Sequence, residues 1–160
     1  MITVLDVETS FQIKDGKVYP LPFNPDNRLV SIGINDEYYF FSHNHKEFDV
    51  QDNHKKVQDT LDKTKLLVGH NIKFDLVWLL ESGFKYKGKL YDTMIGEYIL
   101  LRGLRKPLSL KDICKRRSIS QKSDAVDDYM KRKISFEDIP VDTIEEYGRQ
   151  DVRSTRALFD

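Results

Sequence analysis

Hydrophobic and polar positions along this 160-residue chain alternate with two different periods. Period two comes first. Met1-Ile2-Thr3-Val4-Leu5-Asp6-Val7-Glu8 predicts a strand with Ile2, Val4, Asp6 and Glu8 on one face and Thr3, Leu5 and Val7 on the other, since alternate strand side chains point to opposite sides. Gln12 to Tyr19 predicts a small hairpin turned at Asp15-Gly16, a pair that supplies the positive φ angles of a tight turn. Pro20, Pro22 and Pro25 then interrupt regular structure. Arg28 to Ile34 and Glu37 to Ser42, rich in Val, Ile, Tyr and Phe, predict two more strands joined at Asn35-Asp36, so the first three long strands form an antiparallel meander.

The helical period follows. Lys46 to Lys63 predicts a helix with a narrow stripe of Val50, Val57 and Leu61, and Lys65 to Gly69 a short apolar strand. Asn71 to Ser82 predicts a helix carrying Ile72, Leu76, Leu79 and Leu80, with Asn71 as N-cap and Gly83 as stop. Leu90-Tyr91 predicts a fifth, very short strand; Asp92 caps a helix through Leu101, Ser109 caps another to about Arg117, a charged loop runs to Lys133, and Asp142 to Leu158 is the last helix. This order describes an α/β chain with a mixed five-stranded sheet flanked by helices, in outline resembling the ribonuclease-H-like fold. No repeat, low-complexity tract or linker divides residues 1–160, so one domain is expected. In open sheets, sites gather at the carboxyl ends of strands, here the first strand and the strand ending at Gly69.

Composition narrows the classes. Hydrophobic residues make up 39% and charged residues 32%, as in an ordinary soluble protein. No apolar run approaches bilayer length and the N-terminus lacks signal-peptide features, so the expected location is cytoplasmic. Cys114 is the only cysteine, which excludes an internal disulfide and a thiolate cluster within one chain; a packed helix position is expected for it. Net charge is zero, but Arg102 to Lys133 holds eleven basic residues against four acidic ones, so the molecule is polarised enough to hold a polyanion on one side and cations on the other. A solvated helical surface explains the same run equally well.

Asp6 and Glu8 share a strand face with Cα atoms ~7 Å apart, close enough to serve one cation. Acids also simply end buried strands. Asp75 sits one turn into its helix beside Ile72, Leu76 and Leu79; an alternative is a first-turn acid favoured by the helix dipole, worth under ~1 kcal/mol. Ile144, Tyr147, Asp151, Thr155 and Leu158 form one face of the last helix, which places Asp151 toward the core, where it must neutralise, pair or bind metal. Tyr147 precedes it by one turn, ~6 Å along the axis, and is also explicable as an aromatic core residue. His43-x-His45 with His54 lacks the further ligands a zinc site needs.

Together, Asp6-x-Glu8, Asn71-x-x-Phe74-Asp75 and Tyr147-x-x-x-Asp151 resemble the DEDD superfamily of 3′→5′ exonucleases, in the subgroup with tyrosine rather than histidine before the last aspartate. The chain is most similar to the proofreading exonuclease domain of family A DNA polymerases, including phage-type ones; Leu90-Tyr91-Asp92-Thr93 and Leu108-Ser109-Leu110-Lys111 occur at similar places there and in ribonuclease D relatives. The resemblance implies hydrolysis of single-stranded DNA 3′ ends to nucleoside 5′-monophosphates with two divalent cations, Mg²⁺ or Mn²⁺. Asp6, Glu8 and Asp151 would hold one ion, Asp6 would bridge to a second that Asp75 supports, and Tyr147 would orient the attacking water. Thr9, Phe11, Asn71 and Phe74 would meet the terminal nucleotide, with Arg102 to Lys133 following the backbone. A monomer is expected, with no membrane partner, in a bacterial or virus-infected cell. A polymerase domain would lie on the same or another chain, or the nuclease stands alone. A ribonuclease D-like exoribonuclease, with RNA as substrate, and a non-catalytic domain binding single strands or a partner are the alternatives. Removing Asp75 should abolish activity at little cost in stability, because it relieves acid crowding. The chain departs from the family where Thr9-Ser10-Phe11 lacks a usual glycine, and Gln12 to Pro25 is hard to align.

Overall fold

β1 (Ile2–Thr9) becomes a central strand because both of its faces are apolar along most of its length. The computed structural model, which describes residues 1–119 and 124–160, surrounds it with a five-stranded sheet in the order β5-β4-β1-β6-β7. β4 (Leu29–Ile34) and β5 (Glu37–Phe40) continue antiparallel from one edge of β1. β6 (Leu66–Gly69) and β7 (Lys89–Asp92) run parallel to it on the other. β2 (Gln12–Lys14) and β3 (Lys17–Tyr19) form a separate hairpin turned at Asp15 and Gly16, both at positive φ. The mixed sheet with its antiparallel first three strands is the one expected.

Two layers of helix cover the sheet. Leu5 and Val7 pack with Ile32, Ile34 and Leu67 against α1 (Val50–Lys63), through Val57 and Leu61, and α2 (Ile72–Glu81), through Ile72, Trp78 and Leu79. On the opposite face Val4 and Val68 meet Val152 of α6 (Val141–Phe159). Leu5, Ile32, Leu61, Leu67 and Leu79 are almost wholly buried, each worth ~1.5–3 kcal/mol relative to exposure. α3 (Thr93–Leu100), α4 (Leu110–Arg116) and α5 (Asp127–Lys131) complete the chain with a 3₁₀ turn at Phe136–Asp138. No helix of the described residues is long and apolar enough to cross a membrane.

The structure corrects several local expectations. The first helix begins at Val50, where the Asp49 carboxylate accepts from Asp52 N, and Val50 itself is exposed. Leu80 faces solvent while Trp78 and Asp75 take the buried side of α2. Part of the expected charged loop before Lys133 forms α5. Asn71 adopts a left-handed conformation with no side-chain cap; Asp92 instead accepts from the backbone N–H groups of Asn71, Ile72 and Met94, so one carboxylate caps both α2 and α3. Cys114 packs in α4, its thiol pushed up by burial.

Candidate active site

The site starts where β6 stops. β1 pairs with β6 only from Ile2 to Val4, whereas its pairing with β4 continues to Thr9. The Val7 N–H is thus left without a strand partner, and the buried Asp75 accepts from it through Oδ1 at 2.9 Å. A backbone group that would otherwise be orphaned is satisfied by a side chain on α2.

The other face of β1 carries Asp6 and Glu8, and α6 brings Asp151 to them. One carboxylate oxygen from each of the three lies within 4.8 Å of the others, the only such group of potential metal ligands among the described residues. Asp6 Oδ2 is shielded from solvent and has no hydrogen-bond partner there. Burial first, and then the Asp151 charge for Asp6 and the Asp6 and Asp151 charges for Glu8, push both carboxyls well above the ordinary carboxylate range. Asp75 is raised as well, by burial first and then by Asp6. None of Asp6, Glu8 and Asp75 forms an ion pair with Lys, Arg or His among the described residues. Hard, converging oxygens with one orphaned atom fit a hard divalent ion.

Tyr147, one turn before Asp151, packs against Phe136 with ring centroids 6.1 Å apart. Burial and the charges of Glu8, Asp151 and Asp6 drive its phenol far above its usual value, so the proton stays on the oxygen. Asp75 stands apart from the three-acid group and is tied to the strand that bears two of them. Its removal would leave the buried Val7 N–H unpaired, so the expectation of little stability loss on Asp75→Ala does not hold.

Tyr38 is a residue that sequence reasoning missed. It lies in one register row with Gly33 and Asp6, hydrogen-bonds Ser31 at 2.9 Å and donates to the Ile144 carbonyl of α6 at 3.3 Å. A Cβ at Gly148 would run into its ring, and one at Gly33 would meet Val152 at 2.8 Å. These glycines let α6 settle on Tyr38, and that docking sets how close Tyr147 and Asp151 come to β1. A glycine inside a predicted helix was the available signal, since it costs about 1 kcal/mol relative to alanine unless close approach requires it.

The remaining candidates spread around this centre. Thr9 is buried at a bulge at the end of β1, and Phe11 is half-buried just beyond it. Asn71 is exposed at the start of α2, and Phe74 packs partly buried on the core. The basic run is partly neutralised from within: Arg116 and Arg117 pair with Glu97, Lys111 with Asp124 and Asp127, and Arg132 with Asp128. Lys122 lies outside the described residues. His54 stacks on Phe84, while both ring nitrogens of His43 are engaged, with the Ile139 carbonyl and the His45 N–H.

Comparison with known proteins bears on the family and the fold of this chain. A family model described as 3′-5′ exonuclease matches residues 17–160. No curated protein matches the sequence. Among solved structures, a nuclease in its apo form superposes with a TM-score of 0.65 at 19% identity over 99% of this chain and 70% of its own. NrnC of Brucella melitensis with bound Mg²⁺ gives 0.61 at 20% identity over 99% and 69%. The family B DNA polymerase of the archaeon Pyrobaculum calidifontis gives 0.57 at 18% identity, over 98% of this chain but 24% of the polymerase. At these identities the likeness is one of fold.

Proposed function

The chain belongs to the 3′-5′ exonuclease family, enzymes that work with divalent metal ions, and on that premise we propose that it removes nucleotides one at a time from single-stranded DNA 3′ ends, as the proofreading domain of a DNA polymerase. The observation that carries this reading is the convergence of Asp6, Glu8 and Asp151 around a shielded, unpartnered Asp6 oxygen. We assign Asp6, Glu8 and Asp151 to one Mg²⁺ or Mn²⁺ ion, and Asp6 with Asp75 to a second. When bound, such ions offset the crowded carboxylate charge, acidify water and take up charge on the phosphate.

The chain's own groups do the positioning. Tyr147 keeps its proton at neutral pH, so it serves as a donor that orients the attacking water and not as a general base. Asp75 holds β1 through Val7 N–H and so fixes the strand from which Asp6 and Glu8 project. Thr9, Phe11, Asn71 and Phe74 surround the terminal nucleotide in this reading, and nucleoside 5′-monophosphates leave. Residues 1–160 act as one exonuclease domain, monomeric and cytoplasmic, with a polymerase domain on the same or another chain.

The test is shortening of 5′-labelled single strands of DNA and of RNA of one sequence, with Mg²⁺ or EDTA, by the wild type and Asp6→Ala. Mg²⁺-dependent trimming of DNA that Asp6→Ala lacks supports the proposal. Faster trimming of RNA assigns the chain to an exoribonuclease, since only RNA offers a 2′-hydroxyl. Equal trimming by both proteins refutes the assignment, and binding without trimming leaves a non-catalytic single-strand module.

A further inference from the structure

Between β1 and β4 the chain builds a segment that is fixed from beneath and apolar on top. The indole of the buried Trp78 donates to the Pro20 carbonyl at 2.9 Å. The buried Asn27 amide donates to the carbonyls of Tyr19 and Leu21, at 2.8 Å each. Asn24 closes the turn, accepting from Asn27 N through its carbonyl and from Asp26 N through Oδ1, and Pro20, Pro22 and Pro25 limit what the backbone can do. On this rigid base stand Val18, Tyr19, Leu21 and Phe23, each at least 45% exposed and Phe23 as much as 68%. Preorganised apolar side chains held in water mark a binding surface more than a folding core.

These residues, with Lys14 and Gln12, line an open groove of about 440 Å³. Its place in the fold is informative. Trp78 lies three residues after Asp75 on α2, one helical turn or ~4.5 Å along the axis, so the groove's anchor is on the neighbouring turn to an acid of the site. At its other end the hairpin tip, the Gly16 carbonyl, accepts from Lys133 Nζ at 3.4 Å. α2 covers the Leu5 and Val7 face of the sheet, whereas α5 and α6 share a core on the opposite side. The segment therefore passes around the carboxyl end of β1, where Asp6 and Glu8 lie. Lys14 and Lys17 on the hairpin and Lys131, Arg132 and Lys133 beyond its tip supply positive charge along the same strip, and all five are exposed.

Resting on the exonuclease reading, we propose that this groove is a nucleobase subsite: it stacks a base of the single-stranded substrate upstream of the terminal nucleotide on Tyr19 and Phe23, while Lys14 and the neighbouring cations meet the backbone phosphates. Aromatic platforms beside cations suit single strands, because every base offers a π-face whatever its identity. β2 starts four residues after Glu8, at most ~13 Å along an extended chain, so a decamer at the carboxylates reaches the groove; the proposed subsite takes a base beyond the first two, which a dinucleotide lacks.

The experiment compares wild type with Phe23→Ser and with the pair Tyr19→Ser and Phe23→Ser on oligothymidylates of two and ten nucleotides. Loss of the stacks should raise KM for the ten-mer by about tenfold or more, leave kcat unchanged, and leave both constants for the two-mer unchanged. All the altered positions are exposed, so the melting temperature should not move. Unchanged KM on the ten-mer overturns the proposal, as does an equal change at both lengths. A shift in sedimenting mass with unaltered ten-mer affinity also overturns it, by assigning the surface to a second copy of the chain. Anisotropy of a fluorescent ten-mer in EDTA decides the groove separately from catalysis. If the wild type trims nothing but binds the ten-mer about tenfold tighter than the variants, the exonuclease reading fails and the subsite stands; equal binding removes the subsite.

Discussion

Two groups of acidic residues in this molecule meet opposite fates. Glu97, its side chain 1% exposed, is surrounded by the guanidinium groups of Arg116 at 3.0 Å and Arg117 at 2.6 Å. Burial alone would raise its carboxyl, but the two arginines outweigh burial and hold it below the usual range. Asp75 is just as shielded and Asp6 and Glu8 are half-buried, and the charges that act on them, Asp151 and Asp92 among them, are those of other acids, so they are raised. Where an acid is structural, the chain supplies the counter-charge itself. At the other group no described Lys, Arg or His pairs with Asp6, Glu8 or Asp75, and crowded half-buried acids favour a cation from outside.

The contrast can be broken in several ways. Asp151→Asn keeps the shape of the side chain but removes its charge; nucleotide release should fall by about 10²–10³-fold, read on a labelled single strand. Tyr147→Phe should lower kcat by about 10–100-fold and leave the Mg²⁺ concentration dependence as it is, because the phenol donates and does not ligate. Asp75→Ala should lose about 1–3 kcal/mol in chemical denaturation through the orphaned Val7 N–H, whereas Asp75→Asn, which can still accept, should lose activity but little stability. Glu97→Gln should destabilise by about 1–2 kcal/mol, less than breaking a fully buried pair because Arg117 is 40% exposed and can turn to water, and Mg²⁺ should not restore it.

The contrast also shows in pH. The raised carboxyls mean that the folded, metal-free state keeps protons the unfolded chain gives up near pH 4. Their contribution to stability is complete below that pH and is lost as pH rises through the folded values, at no more than ~1.4 kcal/mol per pH unit for each retained proton. Melting in EDTA should thus decline from pH 5 to pH 8, and Mg²⁺ should raise the melting temperature more at pH 8 than at pH 5. An EDTA profile that rises over this range would place the acids' compensation inside the chain, as for Glu97.

Much of this was legible one residue at a time. Alternation along Ile2 to Glu8 puts Asp6 and Glu8 on one face whatever the rest of the chain does, and the three- and four-residue spacing of Ile144, Tyr147 and Asp151 does the same on α6. Asp15-Gly16 and Ser109 announced a turn and a cap because both are local chemistry. Asn71 misled for the converse reason: a residue suited to capping was left without that work because Asp92, distant in sequence, reached the same N–H groups.

The sequence by itself determined the periods, the turns and the chemical kind of each candidate side chain, since these depend on neighbours along the chain. The family match begins at residue 17 and leaves Asp6 and Glu8 outside it. Only the tertiary structure decided that they meet Asp151, that Asp75 supports β1 from behind, and that Gly33 and Gly148 let Tyr38 seat α6. Strand order, register and helix docking are set by which surfaces close-pack, and that is a property of pairs of elements rather than of either one.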